Sequence, residues 1–209
     1  MSLKRNKVKI SQMSGKLEGL GGINTNPLTN KFCTRKVKED SICFFCYSKA
    51  MLKAYRKNCV PLFNNNSDLL SSNILSEDQI PRSIKYNLIR FNAHGELINS
   101  THFNNCLNIC NKFPTKTFSL FTKRDNFIQN HIKKGGALPS NLVLVYSSHT
   151  VNELTPFLPQ HFHKNFTVYT EQWLKDNPNK VKINCKKSCN KCKLCYSFNK
   201  TTSISELIK

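Results

Sequence analysis

From residue 84 onward the chain alternates between two hydrophobic periods, and that alternation limits the fold more than any other feature. Ile84 to Asn92, Thr117 to Thr122, Asn141 to Ser147 and Phe166 to Thr170 are runs of branched and aromatic residues at strand length. Asn141 to Ser147 is apolar at nearly every position, the pattern of a strand buried on both faces. Between the runs the period changes. Asn99 or Ser100 caps a helix on which Phe103, Cys106, Leu107 and Cys110 share a face, and Asp125 to Lys134 forms another that stops at Gly135-Gly136. Strands alternating with helices predict a parallel sheet, and the expected fold is an α/β, TIM-barrel-like parallel (β/α) barrel or partial barrel. Upstream, the expected elements are a short strand over Val8 to Ser11, a basic helix over Phe44 to Asn58 and a helix over Asp68 to Gln79. The last follows a polar break at Asn64-Asn65-Asn66-Ser67.

Polar and ionisable groups follow each strand-like run. Asn92-Ala93-His94-Gly95-Glu96 follows the first, Thr122-Lys123-Arg124-Asp125 the second and Ser147-Ser148-His149 the third. Parallel α/β folds place their sites at the carboxyl ends of strands. Any one loop is polar without a reason, but three in succession single out Glu96, Lys123, Arg124 and His149 as candidate site residues.

Ten cysteines need a separate account. Seven fall into two groups: Cys33, Cys43 and Cys46 read C-x9-C-x2-C, and Cys185, Cys189, Cys192 and Cys195 read C-x3-C-x2-C-x2-C. Two residues between cysteines let both thiolates turn toward one ion or cluster, in structural zinc sites and in iron–sulfur proteins alike. A reducing compartment favours metal binding over disulfides. The compact C-terminal string is closer to the run of an iron–sulfur protein than to one tetrahedral zinc, though zinc remains the alternative. Cys106 and Cys110, four apart on a helix face, read as small core hydrophobes, and Cys59 has no assigned role. The expected organisation is one α/β domain over residues 1–184, with a cysteine-rich tail over 185–209 packed on it.

Lys and Arg number 32 against 12 Asp and Glu, a formal net charge of +20. Metal-bound thiolates offset only part of this: seven contribute about −7, two [4Fe–4S] cores restore about +4, and roughly +17 remains. Basic residues concentrate at Leu3 to Lys9, Lys31 to Lys38, Lys49 to Lys57 and Lys180 to Lys193. Such a chain attracts polyanions through counterion release, so nucleic acid is the expected partner. Phe44, Phe45, Tyr47 and Tyr196 beside the cysteines either stack on bases or shield a metal centre. No run approaches the roughly 18 apolar residues of a membrane span, and the N-terminus lacks an apolar signal segment. The expectation is therefore a cytoplasmic protein with no membrane partner.

Cys43-Phe44-Phe45-Cys46-Tyr47 resembles the CxxCY motif of the phage and plasmid gene-product-eighty-eight family. Ile89-Arg90-Phe91-Asn92 running into Gly95-Glu96-Leu97, the strand end Tyr146-Ser147-Ser148, and the tail from Cys185 to Tyr196 resemble that family too. The resemblance covers about residues 30 to 198 and implies a mobile-element iron–sulfur protein, for which seven cysteines at four thiolates per cluster give one or two [4Fe-4S] clusters. It also implies a fold akin to that of radical S-adenosylmethionine enzymes. Those enzymes use C-x3-C-x2-C, from which the trio here departs in its first spacing. They bind the cofactor's amino group with a Gly-Gly-Glu at a strand end, which His94-Gly95-Glu96 half resembles. Gly95 and Glu96 are thus the positions the resemblance offers to S-adenosylmethionine. The expected function is an iron–sulfur protein of a phage or mobile element, with redox or radical-type catalysis on an anionic substrate such as nucleic acid. The alternative is a non-enzymatic nucleic-acid-binding module held together by zinc or a structural cluster.

Overall fold

The computed structural model describes residues 7–208, so residues 3–6 of the basic run from Leu3 to Lys9, and Lys209 of the tail, lie outside the described residues. Among the described residues seven strands form one sheet: β1 Ser11–Gln12, β2 Gly21–Ile23, β3 Leu88–Phe91, β4 Thr117–Thr122, β5 Leu142–Ser147, β6 Lys164–Tyr169 and β7 Ser203–Leu207. Their spatial order follows the sequence. β1 pairs antiparallel with β2, and every later neighbour is parallel. The barrel expected from the alternation is not closed, since β1 and β7 are the two edges of an open sheet.

Parallel neighbours need crossover connections. The helices are α1 Lys31–Thr34, α2 Tyr47–Lys53, α3 Val60–Ser72, α4 Ser100–Lys112, α5 Asp125–Lys133, α6 Glu171–Asp176 and α7 Cys189–Cys192. When strand order never reverses, right-handed crossovers put their helices on one face of the sheet. The registers agree. Ile23, Phe91, Leu120 and Leu144 form one row across four strands. They pack in one cluster with Leu70 of α3, Phe103, Cys106, Leu107, Ile109 and Cys110 of α4, and Ile128 of α5. Cys106 and Cys110 are thus core residues, as their spacing implies.

The opposite face carries the rows Gly22, Arg90, Ser119, Val143 and Phe121, Val145, Lys164. None of the helices α3 to α5 covers it. Instead the cysteine-rich segment lies there: Cys195 packs against Phe121, Val143 and Val145, while Tyr196 packs with Leu20, Met13 and Ala93. The face that would line a closed barrel is filled by the tail. That tail then returns to the sheet as β7, paired with β6 over five residues.

Four expected elements differ. The first strand-like run pairs only over Leu88–Phe91. The strand expected over Val8 to Ser11 pairs only at Ser11–Gln12. The basic helix of Phe44 to Asn58 is shorter, Tyr47–Lys53 followed by a 3-10 turn Lys57–Cys59. The helix expected over Asp68 to Gln79 is instead α3, and the supposed break lies within it. Asn66 is the reason. It is buried, receives the Lys9 N–H at 2.8 Å and donates to the carbonyls of Lys9 (2.8 Å) and Asn24 (3.0 Å). An asparagine that docks one segment against two others outweighs its poor helix propensity. Among the described residues no helix is long and apolar enough to cross a membrane.

Candidate metal and anion site

Three local devices place the residues of the tail group. Asn184 pairs along β7: its N–H and that of Cys185 donate to the Ser205 carbonyl, at 3.2 and 3.0 Å. Cys189 and Cys192 open and close the single-turn helix α7. Lys193 then takes φ 55°, and its N–H bonds the Cys189 carbonyl. This left-handed residue turns the chain so that Leu194–Tyr196 winds back as a 3-10 turn bearing Cys195. The Lys16 ammonium holds the segment from the N-terminal side, donating to the Cys185 carbonyl at 2.7 Å and pairing with Glu206.

Cys185, Cys189, Cys192 and Cys195 consequently line one small cavity of about 20 Å³, with Tyr196, Lys187 and Ile204. Burial pushes the Cys195 thiol up to about 12, and raises Cys185 and Cys189 too. Arg90 works in the other direction on Cys189 and Cys195. It rises from β3 beneath the tail, its guanidinium 3.5 Å from the centre of the Phe121 ring. Its Nε is buried without a partner, as is the Tyr196 hydroxyl. Lys164, buried on β6, donates to Asn199 (2.8 Å) and the Thr201 carbonyl (2.6 Å), and its charge also feels Cys195. A sheet face bearing two cations under four thiols suits an anionic centre.

The second group lies at the carboxyl ends of the strands. Cys33 sits in α1, whose cap Asn30 accepts from the Phe32 N–H and donates to the Glu96 carbonyl at 2.9 Å. Cys46 caps α2, and Cys43 lies in the loop between. Ile42 reaches the His149 carbonyl at 3.0 Å, so this loop is laced to the end of β5. Burial pushes the Cys33 thiol up to about 12, and the charges of Glu96, Cys46 and Cys43 add to the effect. Lys123 opposes it.

Glu96 is buried, and burial raises its carboxyl. It accepts from the Leu97 N–H (2.8 Å), the Lys123 N–H (2.9 Å) and the Thr122 hydroxyl. Glu96 thereby anchors the turn after β4, leaving the Lys123 ammonium to reach Ser147 Oγ at 2.7 Å. Arg124 and Arg35 both lie over the Phe32 ring, at 4.9 and 3.7 Å from its centre. His149 meets the same ring edge-on at 6.4 Å, and burial lowers its pKa. Gly95 has φ +91°, and a Cβ there would lie 2.6 Å from the Thr25 carbonyl oxygen, so its missing side chain serves close packing on Thr25.

The structure therefore brings Cys33, Cys43, Cys46, Glu96, Lys123, Arg124 and His149 to one end of the sheet, and places the tail quartet apart on its face. Among the described residues, no group of three or more His, Cys, Asp or Glu side chains is drawn together as a ready ligand set. The tail donors fit a thiophilic ion or cluster in kind and number, and they share one cavity without converging on a point. Arg90 and Lys164 escape a reading of motifs. Their signal is a lone cation within a strand, inside LIRF and at the start of KNFTVY.

No match was found among curated proteins or among solved structures. The family model described as Gene product 88 matches residues 3–205, nearly the whole chain. The match spans both cysteine groups, all of β1 to β6 and the start of β7, and the chain belongs to the Gene product 88 family.

Proposed function

We propose that this protein of a phage or mobile element binds an iron–sulfur cluster through Cys185, Cys189, Cys192 and Cys195. Its end-of-sheet group would receive an anionic substrate. The observation that carries the reading is the single cavity lined by all four tail cysteines, over a sheet face that presents Arg90 and Lys164. A thiolate-bound cluster supplies electron transfer or a Lewis-acidic iron. Zinc would satisfy the same donors as a structural staple. The open sheet of consecutive strands is read as an incomplete (β/α) barrel akin to that of radical S-adenosylmethionine enzymes.

At the other site, Cys33, Cys43 and Cys46 would hold a second centre with one position left for a ligand. Lys123 and Arg124 supply positive charge there, and His149 lies beside Lys123 and Phe32. Glu96 already accepts three hydrogen bonds, so it sets the Lys123 turn rather than meeting solvent. S-adenosylmethionine at Gly95 and Glu96 would have to displace those bonds. A second reading, a nucleic-acid-binding module with a purely structural metal, draws on the main-chain bonds between Cys185 and β7, which make the metal loop part of the sheet edge.

Cysteine-to-alanine variants test the assignment. Cys189→Ala and Cys195→Ala should lose the tail's iron, whereas Cys106→Ala should keep it, because Cys106 is a core residue. Tail variants that retain wild-type iron would sink the proposal. Glu96→Gln separates the two readings: loss of turnover with metal retained favours catalysis, and unchanged anion binding favours the module.

A further inference from the structure

We infer that the segment from Phe44 to Lys57 is a stacking platform for a single strand of nucleic acid. This names the anionic substrate of the reading above, and it does not depend on the metal. Four aromatic rings lie on this segment at high exposure: Phe44 51%, Phe45 54%, Tyr47 55% and Tyr55 75%. Large apolar side chains are rarely left in contact with water as a group without a use. Aromatics that shield a buried centre turn inward, whereas these keep half or more of their surface in solvent.

Three of the rings are also held. Phe44 and Phe45 meet edge-to-face, 5.1 Å between centroids and 75° between planes. Tyr47 donates its hydroxyl to the Ala93 carbonyl and rests against His94 at 5.6 Å. Its polar end is thus buried while its ring stays exposed. A ring fixed before binding loses little further freedom when a base stacks on it.

Positive charge surrounds the rings. Residues 31–57 contain eight Lys or Arg against only Glu39 and Asp40. Lys53 and Lys57 are exposed on either side of Tyr55. Arg56 is steadied by Ser14 Oγ at 2.6 Å, and Lys49 by the Cys33 carbonyl at 2.9 Å. Interleaved aromatics and cations are what an unpaired strand needs: faces for its bases and charge for its phosphates. A duplex hides its base faces, so it would use only the charge. An anionic lipid surface would use the charge too, but the one leucine of α2, Leu52, is buried inward.

The test is fluorescence anisotropy with labelled oligo-dT and oligo-rU strands of about 20 nucleotides, a duplex of equal length, and anionic vesicles as competitor, over a salt series. The wild type should bind either single strand more tightly than the duplex. Phe45→Ala/Tyr55→Ala should weaken single-strand binding by at least about tenfold with an unchanged salt slope. Lys53→Gln/Lys57→Gln should instead flatten the slope by about 1.4. Equal affinity for duplex, preferential capture by vesicles, or an aromatic variant that binds as wild type would overturn the platform. So would an aromatic variant that loses only its metal, since that is the behaviour of a shield. Metal analysis of the same samples keeps the two claims apart. A strand-binding protein without iron sinks the cluster alone, and an iron protein indifferent to these variants sinks the platform alone.

Discussion

Arg90 is the residue on which the electrostatics of the tail turn. Arg90 is half-buried, and a buried Nε without a partner is costly unless something anionic faces it. Thiolates bound to a metal would be that anion, and they would also account for its perch on Phe121, 3.5 Å away. Removing this charge should disfavour added electrons on a neighbouring cluster. Arg90→Met is therefore expected to shift the bound centre's reduction potential to more negative values, with the fold retained by circular dichroism. Potentiometric titration of both proteins checks this.

Two buried histidines carry a second prediction. Burial pushes His94 down to about 4 and His102 down to about 3. Both stay neutral in the fold while the unfolded chain takes up protons below its ordinary histidine value near 6.5. The unfolded state then binds more protons, so stability falls as pH drops from about 6.5 toward about 4, by about 1.4 kcal/mol per pH unit for each histidine. Glu96, raised by burial, opposes this with one proton over its own window above the ordinary carboxyl value, so a net loss remains. Urea unfolding between pH 7 and 4.5 should show that loss, and His102→Gln should remove about one histidine's share of the slope.

At the scale of elements, α3 shows what decides a helix here. Asn66 bonds Lys9 and Asn24 from its middle turn, so Asn66→Ala would leave the buried Asn24 carbonyl and the partly buried Lys9 main chain unpaired. The expected cost is about 2 kcal/mol or more in chemical denaturation. An asparagine run looks like a break because its partners lie more than forty residues away in the chain, beyond any local pattern. The same reasoning separates legible from illegible elements. β5 is readable because it is buried on both faces and apolar up to Ser147, and β4 because Phe118, Leu120 and Phe121 give it a large apolar content at strand length. β2, with two glycines, and β7, SISEL, carry no such run and become strands only because a neighbour pairs with them. Both cysteine groups are legible from spacing. The cations beneath the tail, Arg90 and Lys164, are not, because a single charge in a strand acquires meaning only from the segment that folds over it.

For the whole molecule, consecutive strand order has one consequence that organises the rest. The crossover helices gather on one face, and the other is left for a segment that arrives last. The cysteine tail fills that face before β7 closes the chain's path, so the cysteine-rich loop and the sheet interior are one structure. The open edges and the occupied interior follow together. A tail held by metal should then stabilise the sheet beneath it.

The central claim is that the tail quartet holds an iron–sulfur cluster, and elemental analysis of the anaerobically purified protein tests it most directly. Iron and acid-labile sulfide together, with a broad absorption band near roughly 400 nm that Cys195→Ala abolishes, is the predicted result. A colourless protein carrying stoichiometric zinc, or no metal at all, would contradict it.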